Sequence, residues 1–256
     1  MVKTISYPVV RRIAATAIDA RQLEYINSLM ATEPSASDAE NLVEFAGRSC
    51  YQSFHKPNPA TRGNEDYIAN IIRQGHESVL EHASVTYYIQ GISRSCTHEI
   101  VRHRHFSFSQ QSQRFVDESD AAVVLPPAAS VMRTQEEALR DFFGEYDGSD
   151  TVEAAIVAGM KEAQERYEDI VENLQARGLP RKQAREAARA VLPGGTETRL
   201  VITGNHRTWR EFLKKRLAPG ADAEIRQLAN LILEDLYTIA PSIYKDVWET
   251  NQGGVQ

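Results

Sequence analysis

The chain has 256 residues, 42% of them hydrophobic and 25% charged, with a net charge of −6. Those values fit a soluble globular protein with a real core and argue against the basic face that bulk nucleic-acid binding needs. Two cysteines, Cys50 and Cys96, exclude a disulfide framework; with no signal-like apolar start and no run near the ~18 apolar residues of a membrane span, the expected setting is cytoplasmic.

In chain order, Val9 to Ala15 reads as an N-terminal strand, and Asp19 as the cap of a short helix through Met30. Ser37 and Glu40 have capping-box spacing, with Leu42, Val43, Phe45, Ala46 and Cys50 on the expected inner face of the helix that follows. Tyr51 to Arg62 is a loop. Asn64 is placed as the cap of a helix with Tyr67, Ile68, Ile71 and Ile72 inward and Gly75 as its stop. After a polar turn the period changes to two: Ala83, Val85, Tyr87 and Ile89 alternate with polar or smaller neighbours, a strand that Gly91 is expected to break. Ser93 caps a helix over Arg94 to Arg102, with Cys96 and Ile100 inward. Phe106 and Phe108 alternate with serines as in a short strand, and Val123 to Leu125 is a strand end.

A short acidic helix is expected over 135–143, then a long one over 151–177 with Val152, Ile156, Met160, Ala163, Tyr167, Ile170, Val171 and Leu174 inward. Pro180 opens the next helix and Pro193 closes it. Thr196 to Thr203 alternates as a strand. A helix over 206–217 buries Trp209, Phe212 and Leu213, and a last one carries Ile225, Leu228, Ile232, Leu236 and Ile239. The expected fold is α+β: a central, mostly antiparallel sheet flanked by helices, in a single domain over residues 1–256.

The stretch RHRHFSFSQQSQR, Arg102 to Arg114, stands apart. Burying its arginines without anions would cost several kcal/mol per charge, and a surface chosen for solubility would mix in acids and lysines. Arg102, His103, Arg104 and Arg114 with Ser107, Ser109, Ser112, Gln110, Gln111 and Gln113 fit a phosphate and nucleobase pocket; the alternative is a surface ion-pair cluster. A metal at His98, His103 and His105 is disfavoured by the adjacent arginines. Arg181, Arg185 and Arg189 form a helical stripe, read as a solvated face except for Arg189, which is expected to point inward to an anion. Asn205, His206 and Arg207 open a helix after a strand, an anion site or a plain N-cap. Cys96 reads as a buried thiol rather than a nucleophile.

The Arg-His-Arg-x-x-Ser run from Arg102 to Ser107, followed by Gln110, Ser112 and Arg114, resembles the signature of the flavin-dependent thymidylate synthases. LVEFAGRSCYQSF, GHESVLEHASVTYYIQGISRSCTHEIVRHR, RKQAREAARAVLP, TETR, TGNHRTW and ADAEIRQLA extend the likeness over roughly 42–240. The resemblance implies a homotetramer with active sites between subunits and reductive methylation of dUMP to dTMP. Methylenetetrahydrofolate would supply the carbon, and NADPH would reduce a bound FAD that supplies the hydride. It implies dUMP contacts from Glu99, Ile100, Val101, Arg102, Gln110, Gln111, Ser112, Gln113, Arg114, Arg189 and Arg216. FAD contacts would come from Ser78, Arg102, His103, Arg104, Gln110, Asn205, His206 and Arg207, and Arg216 would polarise the uracil. No metal, nucleic acid or membrane is implied. Glu211 and Gly220 stand where some relatives carry histidine, and Glu211 is expected to turn away from a flavin.

Overall fold

The computed structural model describes residues 2–130 and 152–253. The helix expected over 135–143 lies outside them. The order is β1 (Thr4–Ile5), β2 (Val9–Ala15), α1 (Leu23–Leu29), α2 (Asp38–Tyr51), α3 (Asn64–Arg73), β3 (Ser84–Ser93), α4 (Arg94–Ile100), β4 (Ser107–Gln110) and β5 (Val123–Val124). It continues with α5 (Val152–Ala176), α6 (Arg181–Ala188), β6 (Glu197–Asn205), α7 (His206–Arg216), α8 (Ala223–Ile239) and α9 (Pro241–Gly253). Four strands are hydrogen-bonded in the order β2-β3-β6-β4, and β1 pairs in parallel with β5. The four-stranded sheet is antiparallel: Thr16 donates to the Ser84 carbonyl, Arg94 to Thr196 and Gln111 to Arg199, each joining the end of one strand to the start of its neighbour. The α+β reading therefore stands. Among the described residues no helix is long and apolar enough to cross a membrane.

The chain forms two compact units, and β2, β3, β4 and β6 each change unit along their length. One unit comprises Met1–Val9, Ile89–Arg102 and Ser109–Leu200. Here the strand does not stop at Gly91. The glycine takes φ +73°, and a Cβ on it would lie 3.2 Å from the Tyr7 carbonyl oxygen. Its role is close backbone approach inside a continuing strand. Ser93 then caps α4 by accepting from the Cys96 N–H at 2.9 Å, and Cys96 and Ile100 are buried as expected. On α5 the inner stripe is shorter than the apolar pattern suggests: Val152 is exposed, and Met160, Gln164 and Tyr167 are buried.

The other unit comprises Val10–Tyr88, His103–Phe108 and Val201–Gln256. The capping box at Ser37 and Glu40 is present. The inner face of α2 is nonetheless different from the expected one. It buries Glu40, Asn41, Val43, Glu44, Gly47 and Arg48, whereas Cys50 is exposed and Leu42, Phe45 and Ala46 are only partly covered. Charge pairing lets those polar groups go inside: Glu44 bonds Arg48 at 2.6 Å, Lys56 at 3.1 Å and Asn64 at 2.9 Å. Asn64 is thus the first residue of α3 rather than its cap, its amide spent on α2. Asp19 likewise caps no helix; it accepts from the Arg21 N–H in a turn, and α1 starts at Leu23. The helices α7, α8 and α9 bury Trp209, Phe212, Leu213, Ile225, Leu228, Ile232, Leu236, Ile243 and Tyr244. The last of these helices, opened by Pro241, was not anticipated from its short apolar pattern.

Candidate active site

In the first unit the Gln110–Arg114 segment leaves β4 with its polar groups already engaged. Gln110 Nε2 donates to the hydroxyls of Thr97 and Thr198, each at 3.2 Å. Gln111 is held at three points: its N–H donates to the Arg199 carbonyl at 2.9 Å, its carbonyl accepts from Arg94 Nη1 at 3.4 Å, and its Nε2 donates to Glu118 at 3.3 Å. Burial pushes the Glu118 carboxyl up, against the pull of Gln111 and Arg94. Burial lowers the Arg94 guanidinium, which Glu118 opposes and nearby Arg189 reinforces. Gln113 is buried, and among the described residues its Nε2 finds no hydrogen-bond partner. Arg114 pairs with Glu186 at 2.7 Å with both side chains part-exposed, and Arg102 lies 3.6 Å from Glu99 on the outside. Exposed pairs of this kind are worth ~0–1 kcal/mol, so a phosphate can displace them. Of the predicted residues here, Ile100 is buried core, Val101 is exposed, and Ser112 accepts from the Arg114 N–H at 3.4 Å.

The basic stripe of α6 is oriented differently from expectation. Arg189 is exposed, and Arg185 is the buried member. Arg185 donates to the Phe115 carbonyl at 2.8 Å and pairs with Asp117. Arg189 lies past the last turn of α6, where the backbone tightens, so its side chain no longer follows the inward face. Sequence reasoning also missed Arg94, Thr97, Glu118 and Thr198, which hold the two glutamines. The inward alternation of Thr198 on β6 was the available signal.

In the second unit His103 and Arg216 come together. Arg216 Nε donates to His103 Nε2 at 2.9 Å across more than a hundred residues of sequence. The His103 ring is 9% exposed and sits edge-on to Phe212 and Phe106, at 5.1 and 6.3 Å between centroids. Phe106 in turn packs on Trp209 at 4.4 Å and fills the space over Gly204, where a Cβ would meet its ring at 2.3 Å. Arg104 and His105 flank this anchor and are exposed. Glu211 is exposed and bonded to Lys215 at 2.5 Å. That hydrogen bond holds its carboxyl low, with further help from the positive charge of Lys215.

At the start of α7, Asn205 caps the helix by accepting from the Thr208 N–H and hydroxyl, each at 2.9 Å. Its Nδ2 is left to donate elsewhere. Arg207 pairs with Glu81 at 2.5 Å on the surface, and Ser78, in the same 77–82 turn as Glu81, is exposed. Exposed arginines, a loosely paired arginine at a helix N-terminus, a hydroxyl and an amide donor suit the phosphates and ring edges of a flavin dinucleotide. His206 is the exception. It is fully buried, and its Nδ1 lies 2.7 Å from the Tyr244 hydroxyl, so its ring offers no edge to a ligand.

Burial pushes the His206 pKa down to about 4, from 6.5, with a smaller push from Arg210. The unfolded chain therefore takes up a proton that the folded one refuses. The stability held by this group is complete above about pH 6.5 and is lost as pH falls toward about 4, by roughly 3 kcal/mol in all. Melting curves from about pH 7 down to about pH 4.5 check this: Tm should drop with pH, and less steeply in His206→Asn.

Residues 30–242 match the family model described as "Thymidylate synthase complementing protein". A flavin-dependent thymidylate synthase of Mycobacteroides abscessus is 53% identical over 205 residues, which cover 80% of this chain and 78% of that protein. A probable flavin-dependent thymidylate synthase of Mycobacterium phage L5 is 51% identical over 210 residues, 82% of this chain and 81% of that one. Among solved structures, a UMP/dUMP methylase, PolB, from Streptomyces cacaoi has a TM-score of 0.65 at 22% identity, covering 98% of this chain and 97% of that one, which speaks for the fold. With the family model matching well over half its length and about half of the residues aligned to named relatives identical, this chain belongs to the flavin-dependent thymidylate synthase family.

Proposed function

We propose that this protein methylates dUMP to dTMP reductively, with methylenetetrahydrofolate as carbon donor and NADPH as reductant, as a cytoplasmic homotetramer of single-domain subunits. The observation that carries the reading is the anchored Gln110–Arg114 segment. Two of its three glutamines, Gln110 and Gln111, are fixed by Thr97, Thr198, Arg94 and Glu118, and its arginine pairs with the part-exposed Glu186. Fixed amides read a base edge, and an exchangeable arginine takes a phosphate. Gln110, Gln111, Ser112, Gln113 and Arg114 would bind dUMP, with Glu99, Arg102 and Arg189 alongside. Ser78, Arg102, Arg104, Asn205 and Arg207 would hold FAD, which supplies hydride when bound and reduced; the His103 ring, of the same run, is bonded to Arg216 instead.

Arg216 would act on the uracil. Carbon-carbon bond formation at the ring needs negative charge to grow on its carbonyl edge. A guanidinium fixed in place stabilises that charge where it develops. Neither cysteine is needed as a nucleophile: Cys50 is exposed, and Cys96 is buried at the start of α4.

The test is direct. The purified protein supplied with FAD should show flavin absorption near 450 nm, on the order expected for an oxidised flavin. It should form dTMP only when dUMP, methylenetetrahydrofolate and NADPH are all present. Flavin binding without any dTMP would instead mark a nucleotide-binding protein without turnover.

A further inference from the structure

We propose that His103 is a positioning residue that sets the plane of the Arg216 guanidinium. The proposal rests on the assignment of Arg216 to the uracil. An arginine at a helix end has four rotatable side-chain bonds, and its reach alone does not fix where its donors point. In this protein the inner nitrogen of the fork, Nε, is tied at 2.9 Å to His103 Nε2. A bond at Nε fixes the plane from which both outer nitrogens donate.

The acceptor is itself immobilised. The imidazole is 9% exposed and wedged edge-on against Phe212 at 5.1 Å, with Phe106 behind it. Phe106 is seated on Gly204 and against Trp209. The plane set at Nε is thus tied to the aromatic core through the His103 ring. To accept from Arg216, His103 must be neutral with its proton on Nδ1. A neutral acceptor orients the guanidinium and brings no counter-charge of its own. A carboxylate in the same place would orient it equally well and offset the charge that the uracil requires.

Three substitutions separate these effects. His103→Leu removes the acceptor and should lower kcat by about 100-fold, the scale of a misplaced catalytic group. Flavin content and the KM for dUMP should stay within about twofold of wild type, because ground-state binding is untouched. His103→Gln restores a neutral acceptor and should recover kcat to within about tenfold of wild type. His103→Glu restores an acceptor but adds negative charge, and should stay about 100-fold down. In an Arg216→Ala background, His103→Leu should cost nothing further, since the group it positions is gone.

Equal impairment of the Leu and Gln variants would overturn the proposal, as would an undiminished effect of His103→Leu in the Arg216→Ala background. Loss of flavin from His103→Gln would instead make the residue a flavin contact, and would overturn it too. Failure of the underlying assignment looks different: wild type would form no dTMP, or Arg216→Ala would turn over at the wild-type rate.

Discussion

Replacing Arg216 with alanine should lower kcat for dTMP formation by about 100- to 1,000-fold while leaving the flavin bound. The side chain leaves the last turn of α7 and is half-buried, with one nitrogen committed to His103. Its charge is therefore presented in a partly dehydrated setting, where a fixed donor counts for more than in water. Arg216 is not among the residues assigned to FAD, so its removal should leave the cofactor bound. Steady-state turnover and the flavin spectrum of the same sample check both halves. Arg216→Lys keeps the charge and loses the fork, and should fall between wild type and alanine. A colourless Arg216→Ala protein would make the residue part of the flavin site.

Glu44→Gln should be the most damaging substitution for stability, by roughly 3–5 kcal/mol. Glu44 and Arg48 are buried on successive turns of α2, at 0% and 2% side-chain exposure. Glu44 also takes Lys56 and the Asn64 amide, and Arg48 donates to the Thr61 carbonyl at 2.6 Å and lies 4.3 Å over the Tyr67 ring. One carboxylate thus holds α2, the following loop and α3 together. Neutralising it strands a guanidinium that cannot give up its proton. The drop should appear as a lower urea midpoint with an unchanged slope. A loss of under ~1 kcal/mol would mean that water reaches Arg48 once its partner is gone.

That buried pair also marks where sequence patterning ran out. Alternation placed β3 and β6 well, because a half-buried strand shows its two faces directly. A helical stripe assumes that buried means apolar, and α2 breaks the assumption by burying acids and bases that satisfy one another. The same blind spot exchanged Arg185 for Arg189: an arginine turned inward needs Asp117 and the Phe115 carbonyl, both on a distant loop. The Arg102–Arg114 stretch was legible because its composition is unlike core or ordinary surface. Its supports were not, since Thr97 and Glu118 are unremarkable in sequence and Thr198 shows only as an inward position of a strand. His206 lay inside the motif region and still proved to be core, since its partner Tyr244 stands on α9.

Phe106, seated on Gly204, bears on the timing of ligand capture. It is the one apolar residue between the Arg102–His105 run and the serines of β4, and it is buried. The charged run before it and the serines after it are thereby tethered to the core before any anion arrives. The entropy of ordering this segment is lost when the chain folds and not when a ligand lands. Encounter with a phosphate should then be a single fast step, limited by diffusion and ionic strength rather than by a loop waiting to close.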